Sequence, residues 1–390
     1  MMRPMKLAGS QLMFGKGCLE HLKTLKGKKA FIVTGGSSMQ KSGILRAVTD
    51  LLGEAGIDCK HFSGVEPDPY FSTVIKGANA MKEFEPDIIV GLGGGSAMDA
   101  AKAMWIYYEH PGLTSLEEIA APNPFPKLRQ KAILVCIPST AGTASEVSRS
   151  IVITQDETHI KFGIGNMEMM PDIAICDPQV TVSMPPKITA ETGMDAMTHA
   201  VEALVSARAN YLSDILARAA IKDIVKYLPL AYKEGINLDY REMMLNASMT
   251  AGLAFTNVSL GIVHSIAHTL GSVFSVSHGL ADAILLPKIM AFNSRNKSAK
   301  AVYDSVANEM GAGDLVRVIK ELNQTIGIPE YIGELIPDEA AYRSKLEMMA
   351  DMALKDGCTK TNPIIPTLDE MKHLFIEGYG SKTMTEEKKA

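Results

Sequence analysis

The chain has 390 residues, of which 46% are hydrophobic and 21% are charged, which is typical of a folded globular protein long enough for two domains. Its formal net charge is −5 and it has no long run of Lys and Arg, which argues against a nucleic-acid-binding surface. The uncharged segment 246–263 raises the question of a membrane span. Because it is rich in Ser, Thr and Gly and leads into two histidines, we expect a buried helix that lines a site, and no membrane partner.

The cysteines indicate a reducing compartment. Their number, five, is odd, they are widely spaced, and no C-x-x-C motif occurs, which argues against a disulfide framework and against a cysteine-built zinc site. The N-terminal segment 1–17 mixes polar and apolar residues and lacks the continuous apolar core of a signal peptide. We therefore predict a cytoplasmic protein.

Short apolar runs alternate with helical patterns along the first half of the chain. Strands are predicted at residues 29–34, 58–63, 87–92 and 132–137, with shorter candidates at 150–154, 161–164 and 172–176. Helices are predicted at residues 42–56, 73–84 and 96–108. This βαβα order is typical of a parallel sheet covered by helices.

After Pro185 and Pro186 the pattern changes to long amphipathic helices, which are predicted at residues 189–207, 211–232, 241–257 and 279–292. The predicted fold is therefore an α/β Rossmann-like dinucleotide-binding domain followed by an all-α metal-binding and substrate domain. We expect the first domain to cover residues 1–182 and the second to cover residues 183–390.

Two loops after predicted strands are candidates for binding the phosphates of a cofactor. Residues 91–96 (GLGGGS) join a buried strand to a helix, where backbone N–H groups can approach a pyrophosphate and Ser96 can act as the N-cap. Residues 138–146 (PSTAGTASE) follow another strand and offer hydroxyl groups. The first loop lacks a full G-x-G-x-x-G pattern, so a tight turn without a ligand stays an alternative. Two such loops in one parallel sheet favour a ligand, because ligands bind at the carboxyl ends of strands.

The turn after the first predicted strand, residues 34–43, bears on the choice of dinucleotide. A site restricted to NAD usually places an acidic side chain beside the adenosine ribose. This turn instead contains Gly36 and, nearby, Lys41, which leave room for a 2′-phosphate. The residues are therefore compatible with NADP as well as with NAD.

One Asp and four His in a mostly apolar region form a candidate metal site. Asp195 and His199 are four residues apart in a helical pattern, as are His264 and His268, so each pair shares one helix face; His278 follows. A His and carboxylate set suits Fe²⁺ or Zn²⁺. The alternative is that these are histidines of the core, and spacing does not decide whether His264 or His268 is the ligand.

The charge pattern around these histidines bears on the substrate. Between residues 243 and 287 there is no Lys or Arg, and the only carboxylate is Asp282. A pocket built from this segment offers little to a phosphate or carboxylate group. The pattern therefore predicts a small uncharged substrate.

Together these motifs resemble the iron-containing alcohol dehydrogenase family, in particular its lactaldehyde-reductase-like and butanol-dehydrogenase-like members. The resemblance covers nearly the whole chain. It is carried most specifically by residues 93–102 (GGGSAMDAAK), 193–202 (GMDAMTHAVE) and 261–279 (GIVHSIAHTLGSVFSVSHG). It implies an N-terminal dinucleotide-binding domain and a helical C-terminal domain, with the active site in the cleft between them.

The resemblance also implies roles for individual residues. His268 is expected beside the metal as the catalytic proton relay, and Gly36 stands at a cofactor position where NAD-specific relatives carry Asp. The other implied positions are metal ligands at Asp195, His199, His264 and His278, cofactor contacts at Gly94, Gly95, Ser96, Asp99, Ser139, Thr140, Thr143 and Lys161, and cleft-lining residues at Phe255 and Cys358. Ala144 and Ser277 stand where the family usually has Gly and Pro.

The expected activity is hydride transfer between NAD or NADP and a small alcohol or aldehyde, with Fe²⁺, or alternatively Zn²⁺, as the Lewis acid. We expect a homodimer or a larger homo-oligomer. Two alternatives stay open from the residues: a lyase of the dehydroquinate-synthase type, which would need basic residues for an anionic substrate, and a protein that binds nucleotide and metal without turnover.

Overall fold

A computed structural model describes residues 5–157 and 161–380 of the chain. The strands within those residues are β1 (Gln11–Phe14), β2 (Lys29–Thr34), β3 (Asp58–Phe62), β4 (Ile88–Gly93), β5 (Ile133–Pro138), β6 (Ser150–Thr154), β7 (Lys161–Gly165) and β8 (Ile173–Cys176). Six of them form one parallel sheet in the order β1-β8-β5-β4-β2-β3, and β6 and β7 form a separate antiparallel pair.

The first four α-helices lie between strands, and the other ten follow the last strand. They are α1 (Ser38–Lys41), α2 (Ile44–Glu54), α3 (Phe71–Phe84), α4 (Gly95–Glu109), α5 (Pro186–Val205), α6 (Tyr211–Lys233), α7 (Leu238–Val258), α8 (Ile262–Phe274), α9 (His278–Asn293), α10 (Lys297–Glu309), α11 (Leu315–Thr325), α12 (Glu339–Ser344), α13 (Leu346–Lys355) and α14 (Leu368–Tyr379). The predicted fold class, a parallel α/β part followed by a helical part, is confirmed.

The sheet brings the two predicted phosphate loops side by side. All six residues of β4 (IIVGLG) are buried, as expected for a central strand covered on both faces. β4 pairs in parallel with β5, and the register sets Gly93 opposite Pro138. The loops that follow these two strands therefore leave the same edge of the sheet at neighbouring points.

The helical half is built around α5, in which sixteen of twenty residues are buried. Helices α6 and α7 pack along it, and a Cβ on Gly193 of α5 would lie only 2.3 Å from the Leu228 side chain of α6. The absence of a side chain at Gly193 thus lets the two helices approach closely. Asp195 and His199 follow on α5, so this tightly packed helix positions them.

Two expectations about helices differ from the structure. The predicted helix 42–56 forms as α2 but begins only at Ile44, because its N-cap Gly43 has φ of 78°, a conformation that glycine adopts without strain. The uncharged segment 246–263 does not form one helix: α7 ends at Val258, Ser259 has φ of 68°, and α8 starts at Ile262. In the described part of the chain, no single helix is long and apolar enough to cross a membrane; only the pair α7 and α8 has the required length and composition, and it is bent by 101°.

Candidate active site

Four side chains from three helices converge on one point in the helical half. The carboxylate oxygen Oδ1 of Asp195 lies 3.5 Å from Nε2 of His199, 3.8 Å from Nε2 of His264 and 3.8 Å from Nε2 of His278. Asp195 and His199 lie one turn apart on α5, His264 is in the first turn of α8, and His278 begins α9. The structure thus brings together the four predicted metal ligands.

These atoms fit a divalent ion. Two ligands on one ion with bonds of about 2.1 Å lie about 3.0–3.5 Å apart, close to the observed separations. Asp195 Oδ1 and His264 Nε2 are buried and have no hydrogen-bond partner among the described residues. Since buried polar atoms are nearly always paired, the two atoms indicate a ligand between them.

Glu202 fixes the orientation of His264. Its Oε2 lies 2.6 Å from Nδ1 of His264, and its two oxygens also accept hydrogen bonds from the backbone N–H groups of Gly261 and Val263. With Nδ1 protonated toward the carboxylate, Nε2 of His264 is left free to bind an ion. Glu202 was not among the predicted site residues, because its contacts join positions far apart in sequence.

His268 lies one turn after His264 and has a different partner. Its Nδ1 is 2.9 Å from Oδ2 of Asp356, which precedes Cys358 in the chain. The His268 ring stacks on that of His278 at 5.2 Å between centroids, and its side chain is 25% exposed compared with 2% for His264. The structure therefore places His264 among the ligand atoms and His268 between the cluster and solvent.

The cluster has a negative potential that favours a bound cation. Burial disfavours a protonated His264, yet the carboxylates of Asp282 and Glu202 outweigh burial and raise the pKa of His264 well above its usual value. Burial lowers the pKa of His199 to about 4 and that of His278 well below its usual value, which keeps these two imidazoles neutral at neutral pH, each with one nitrogen free to bind a metal. The raised pKa of His264 shows that the cluster favours a positive charge, which a divalent ion can supply in place of the proton on His264.

The two phosphate loops contact each other. A Cβ on Gly95 would lie 2.7 Å from the Thr143 side chain, a Cβ on Gly94 would lie 3.5 Å from that of Thr140, and the Ser139 N–H donates to the Gly93 carbonyl at 2.8 Å. The second loop also reaches α5, because a Cβ on Gly142 would lie 2.7 Å from Thr192. One surface thus extends from the end of β4 to the helix that carries Asp195 and His199.

Ser96 is not the N-cap that the sequence predicts, and Asp99 is hydrogen-bonded within the protein. Gly94, not Ser96, is the N-cap of α4, because Gly93 turns the chain with φ of 149° and the helix starts at Gly95. The Ser96 hydroxyl instead accepts a hydrogen bond from the Asp68 N–H at 3.3 Å. Both carboxylate oxygens of Asp99 are engaged, with the Ser145 hydroxyl at 2.6 Å and the Val152 N–H at 3.0 Å. These bonds anchor the second loop, through Ser145, and β6, through Val152, to α4.

Lys161 lies between the two halves of the molecule. Its Nζ forms an ion pair with Asp68 Oδ1 at 2.8 Å, and it lies 2.9 Å from the position of a Cβ on Gly271 in α8. A lysine therefore does approach the segment 243–287, which contains no Lys or Arg of its own. The ion pair with Asp68 compensates its charge.

The remaining predicted site residues lie at different points around the metal cluster and the sheet. The Phe255 ring stacks on His199 with centroids 4.3 Å apart, and the Cys358 N–H donates to Asp356 at 2.7 Å. Gly36 is exposed at the turn after β2, at the same edge of the sheet as the loops that follow β4 and β5. Ser277 is the N-cap of α9, and its hydroxyl donates to Glu191 at 2.6 Å. Asp356 and Asp282 are further acidic residues of the site that were not predicted as part of it.

The chain matches known proteins along nearly its whole length. Residues 9–178 match the family described as iron-containing alcohol dehydrogenase, and residues 189–379 match the C-terminal part of the same family. An NADPH-dependent butanol dehydrogenase of Clostridium saccharobutylicum is 46% identical over 93% of this chain and 94% of its own, and a 1,3-propanediol dehydrogenase of Klebsiella pneumoniae is 38% identical over 92% and 94%. An iron-containing alcohol dehydrogenase structure from Thermococcus thioreducens superposes with a TM-score of 0.90 at 34% identity, over 97% of this chain and all of the other.

The order of the strands, the helical second half and the Asp and His cluster agree with these matches. The chain therefore belongs to the iron-containing alcohol dehydrogenase family, as a metal-binding, NAD(P)-dependent oxidoreductase that acts on the CH–OH group of alcohols.

Proposed function

We propose that this enzyme interconverts short uncharged alcohols and aldehydes, uses NADP(H) in preference to NAD(H), and holds Fe²⁺ between Asp195, His199, His264 and His278. The observation that carries this proposal is the convergence of three imidazole nitrogens on one buried carboxylate oxygen. Zn²⁺ suits the same donors and is the alternative ion.

The residues of the cleft have separate tasks in this proposal. When bound, the ion supplies Lewis-acid polarisation of the substrate oxygen, and the nicotinamide supplies or accepts the hydride. Glu202 holds His264 in the tautomer whose Nε2 faces the ion. His268, partly exposed and oriented by Asp356, passes the substrate proton between the cleft and solvent. Phe255 packs on His199 and keeps water from that side of the ligand set. Gly94, Gly95, Ser96, Ser139, Thr140, Thr143 and Lys161 form the cofactor surface, with Asp99 as its support.

The preference for NADP(H) is based on the turn after β2. Gly36 is exposed, and apart from its two neighbours in the chain no described residue has a heavy atom within 4 Å of the position of a Cβ on it. Lys41 is exposed at the end of α1. The butanol dehydrogenase relative is named as NADPH-dependent. The Gly36→Asp variant should shift the preference toward NAD(H), because the carboxylate repels a 2′-phosphate and accepts hydrogen bonds from a ribose diol. A wild-type enzyme whose kcat/KM with NADPH does not exceed that with NADH would refute this preference, and one unable to use NADPH would refute the interpretation of the turn.

The substrate proposal is based on the uncharged segment 243–287 and on the compensated charge of Lys161. Relatives are named for butanol, 1-propanol and 1,3-propanediol. The deciding experiment is an anaerobic assay of Fe²⁺-loaded enzyme with NADH and NADPH against short aldehydes, each paired with a phosphorylated analogue. We expect turnover of the neutral aldehydes and a much lower kcat/KM for the phosphorylated ones. The reverse order would contradict the proposed substrate class.

Three broader predictions complete the proposal. We propose a domain boundary between residues 182 and 183, supported by the end of β8 at Cys176 and the start of α5 at Pro186. The cytoplasmic location stays a prediction, supported by five cysteines that are all free thiols within the described residues. The homodimer or larger homo-oligomer also stays a prediction, to be measured by light scattering.

A further inference from the structure

A second carboxylate lies inside the metal cluster. Asp282 is one turn after His278 on α9, and it is 0% exposed. Its Oδ2 lies 3.2 Å from Nε2 of His278, and neither of its oxygens has a hydrogen-bond partner within the part of the chain that the structure describes. It is therefore a buried acidic group whose acceptors are not engaged by the protein.

The position of Asp282 fits a ligand of the same ion. One ligand atom from each of Asp195, His264, His278 and Asp282 can be chosen so that all lie within 4.8 Å of one another. His199 is not in this set, and it joins the cluster through its distance of 3.5 Å from Asp195 Oδ1. The separation of 3.2 Å between Asp282 and His278 falls within the range of about 3.0–3.5 Å expected for adjacent ligands with bonds of about 2.1 Å.

The surroundings of Asp282 leave a cation as its natural partner. No Lys or Arg occurs between residues 243 and 287. Lys288 of α9 donates to the carbonyls of Ile284 and Glu330, and the nearby Lys161 is paired with Asp68. A carboxylate buried without a partner is strongly unfavourable, whereas a divalent ion at this point compensates the charges of both Asp195 and Asp282.

We propose that Asp282 is an additional metal ligand, which binds the ion together with Asp195, His264 and His278. This inference rests on the proposed metal site described above. Zn²⁺ in proteins is usually satisfied by four ligands, whereas additional oxygen donors suit ions that accept higher coordination. Asp282 therefore biases the site toward Fe²⁺ and away from Zn²⁺.

The test compares wild type with Asp282→Asn, which keeps the shape of the side chain and removes its charge. The matched control is Glu146→Gln, which changes a buried carboxylate of the α/β half. Each protein is stripped of metal and titrated with Fe²⁺ and Zn²⁺ in competition, and metal content is measured after removal of free ions. We expect Asp282→Asn to lower the affinity for Fe²⁺ relative to Zn²⁺ by at least about tenfold, and Glu146→Gln to leave the ratio unchanged.

Co²⁺ substitution gives a second readout that does not depend on activity. Wild type should show the weak visible absorption of Co²⁺ with five or six ligands, and Asp282→Asn should show the stronger absorption of a four-coordinate ion. A four-coordinate spectrum in wild type would overturn the inference, and so would an Asp282→Asn protein that matches wild type in spectrum and metal ratio. Because the wild-type spectrum needs no variant, the inference stays testable if Asp282→Asn does not fold.

The same experiment separates two failures. If wild type binds no stoichiometric metal, the proposed metal site itself is wrong. If wild type binds metal and His264→Ala loses it, while Asp282→Asn behaves as wild type, the proposed function stands and only the role of Asp282 is refuted.

Discussion

Two buried charged clusters in this molecule are built in opposite ways. In the α/β half, the Lys102 ammonium is 0% exposed and donates to the Ser145 hydroxyl and to the carbonyls of Ser148 and Ser150 at 2.8–3.1 Å. Ser145 in turn donates to Asp99. In the helical half, Asp195 and the ring nitrogens around it face each other without sharing protons. The first cluster is complete by itself and fastens a loop, whereas the second is complete only with an added cation.

The difference shows how a buried polar group can be assigned to structure or to chemistry. A group with all its partners within the fold contributes to the stability of the fold. When the acceptor atoms of several buried groups face one another and have no partners in the protein, they indicate a binding site for a ligand. Variants in the two clusters should therefore separate loss of metal from loss of stability.

The largest effect is expected for His264→Ala. It removes one nitrogen of the ligand set and also leaves Glu202 without its imidazole partner, so metal content and activity should fall together to background. His110→Ala, at the far end of α4 from the Gly-rich loop, is the control and should keep its metal. Metal analysis of the purified proteins with assays in parallel measures both quantities. An inverted assignment would appear as metal retained in His264→Ala and lost in His268→Ala.

His268→Ala should keep its metal and lose turnover. General acid–base assistance contributes about a hundredfold to ten-thousandfold, and the loss should lie near the lower end if water replaces the imidazole. Asp356→Asn should show a smaller loss with a similar change in the pH–rate profile, since Asp356 acts only by orienting His268. Profiles of kcat against pH for both variants give the result. Full activity and metal content in both His264→Ala and His268→Ala would mean that the cluster is not the active site.

In the other cluster, Lys102→Met should cost about 3–5 kcal/mol of unfolding free energy. The substitution keeps the length of the side chain but leaves the Ser148 and Ser150 carbonyls without a donor and the Asp99 carboxylate without a cation. Metal bound per folded chain should stay unchanged. Urea unfolding together with metal analysis decides the matter, and a variant that folds normally but loses metal would break the contrast between the clusters.

The smallest effect concerns Glu146, which lies beside the complete cluster but has one oxygen without a partner in the described residues. Burial raises the pKa of Glu146 from 4.5 to about 7. Between these values the folded chain keeps a proton that the unfolded chain releases, so stability should fall as pH rises from about 4.5 to about 7. Glu146→Gln removes this dependence, and its stability should gain on wild type by up to about 3 kcal/mol over that range. The free energy of urea unfolding is measured against pH for both proteins, and profiles of the same shape would refute this prediction.

Local sequence patterns were sufficient to predict most of the strands and helices. The buried runs of β2, β4 and β5 and the long helices α5, α6, α7 and α9 lie within a few residues of the predicted ranges. β1 was not predicted, because Gln11–Phe14 is a four-residue edge strand whose end residues are exposed, so it has neither a buried run nor a clear alternation. The bend between α7 and α8 was also missed, since Ser259 rather than a glycine takes the left-handed conformation there.

The site was predictable where residues act through spacing or motif and not where they act across the fold. Asp195, His199, His264 and His278 stand in recognisable motifs, and they converge in the structure. Glu202 and Asp356 lie 62 and 88 positions from the histidines that they orient, and no local pattern marks such pairs. Spacing likewise did not distinguish His264 from His268, whereas their different carboxylate partners do.

The contacts of Glu202 have a consequence for how the ion enters. One carboxylate both caps the start of α8, through the N–H groups of Gly261 and Val263, and orients the His264 ring. Because the same carboxylate holds both the first turn of the helix and the ring, we expect the rotational entropy of the His264 ring to be lost during folding rather than during metal binding. Loading of the finished protein should then be governed by diffusion through the side of the cleft where His278 is 30% exposed. In this arrangement, the affinity for the ion is higher than it would be if metal binding also had to order the His264 ring.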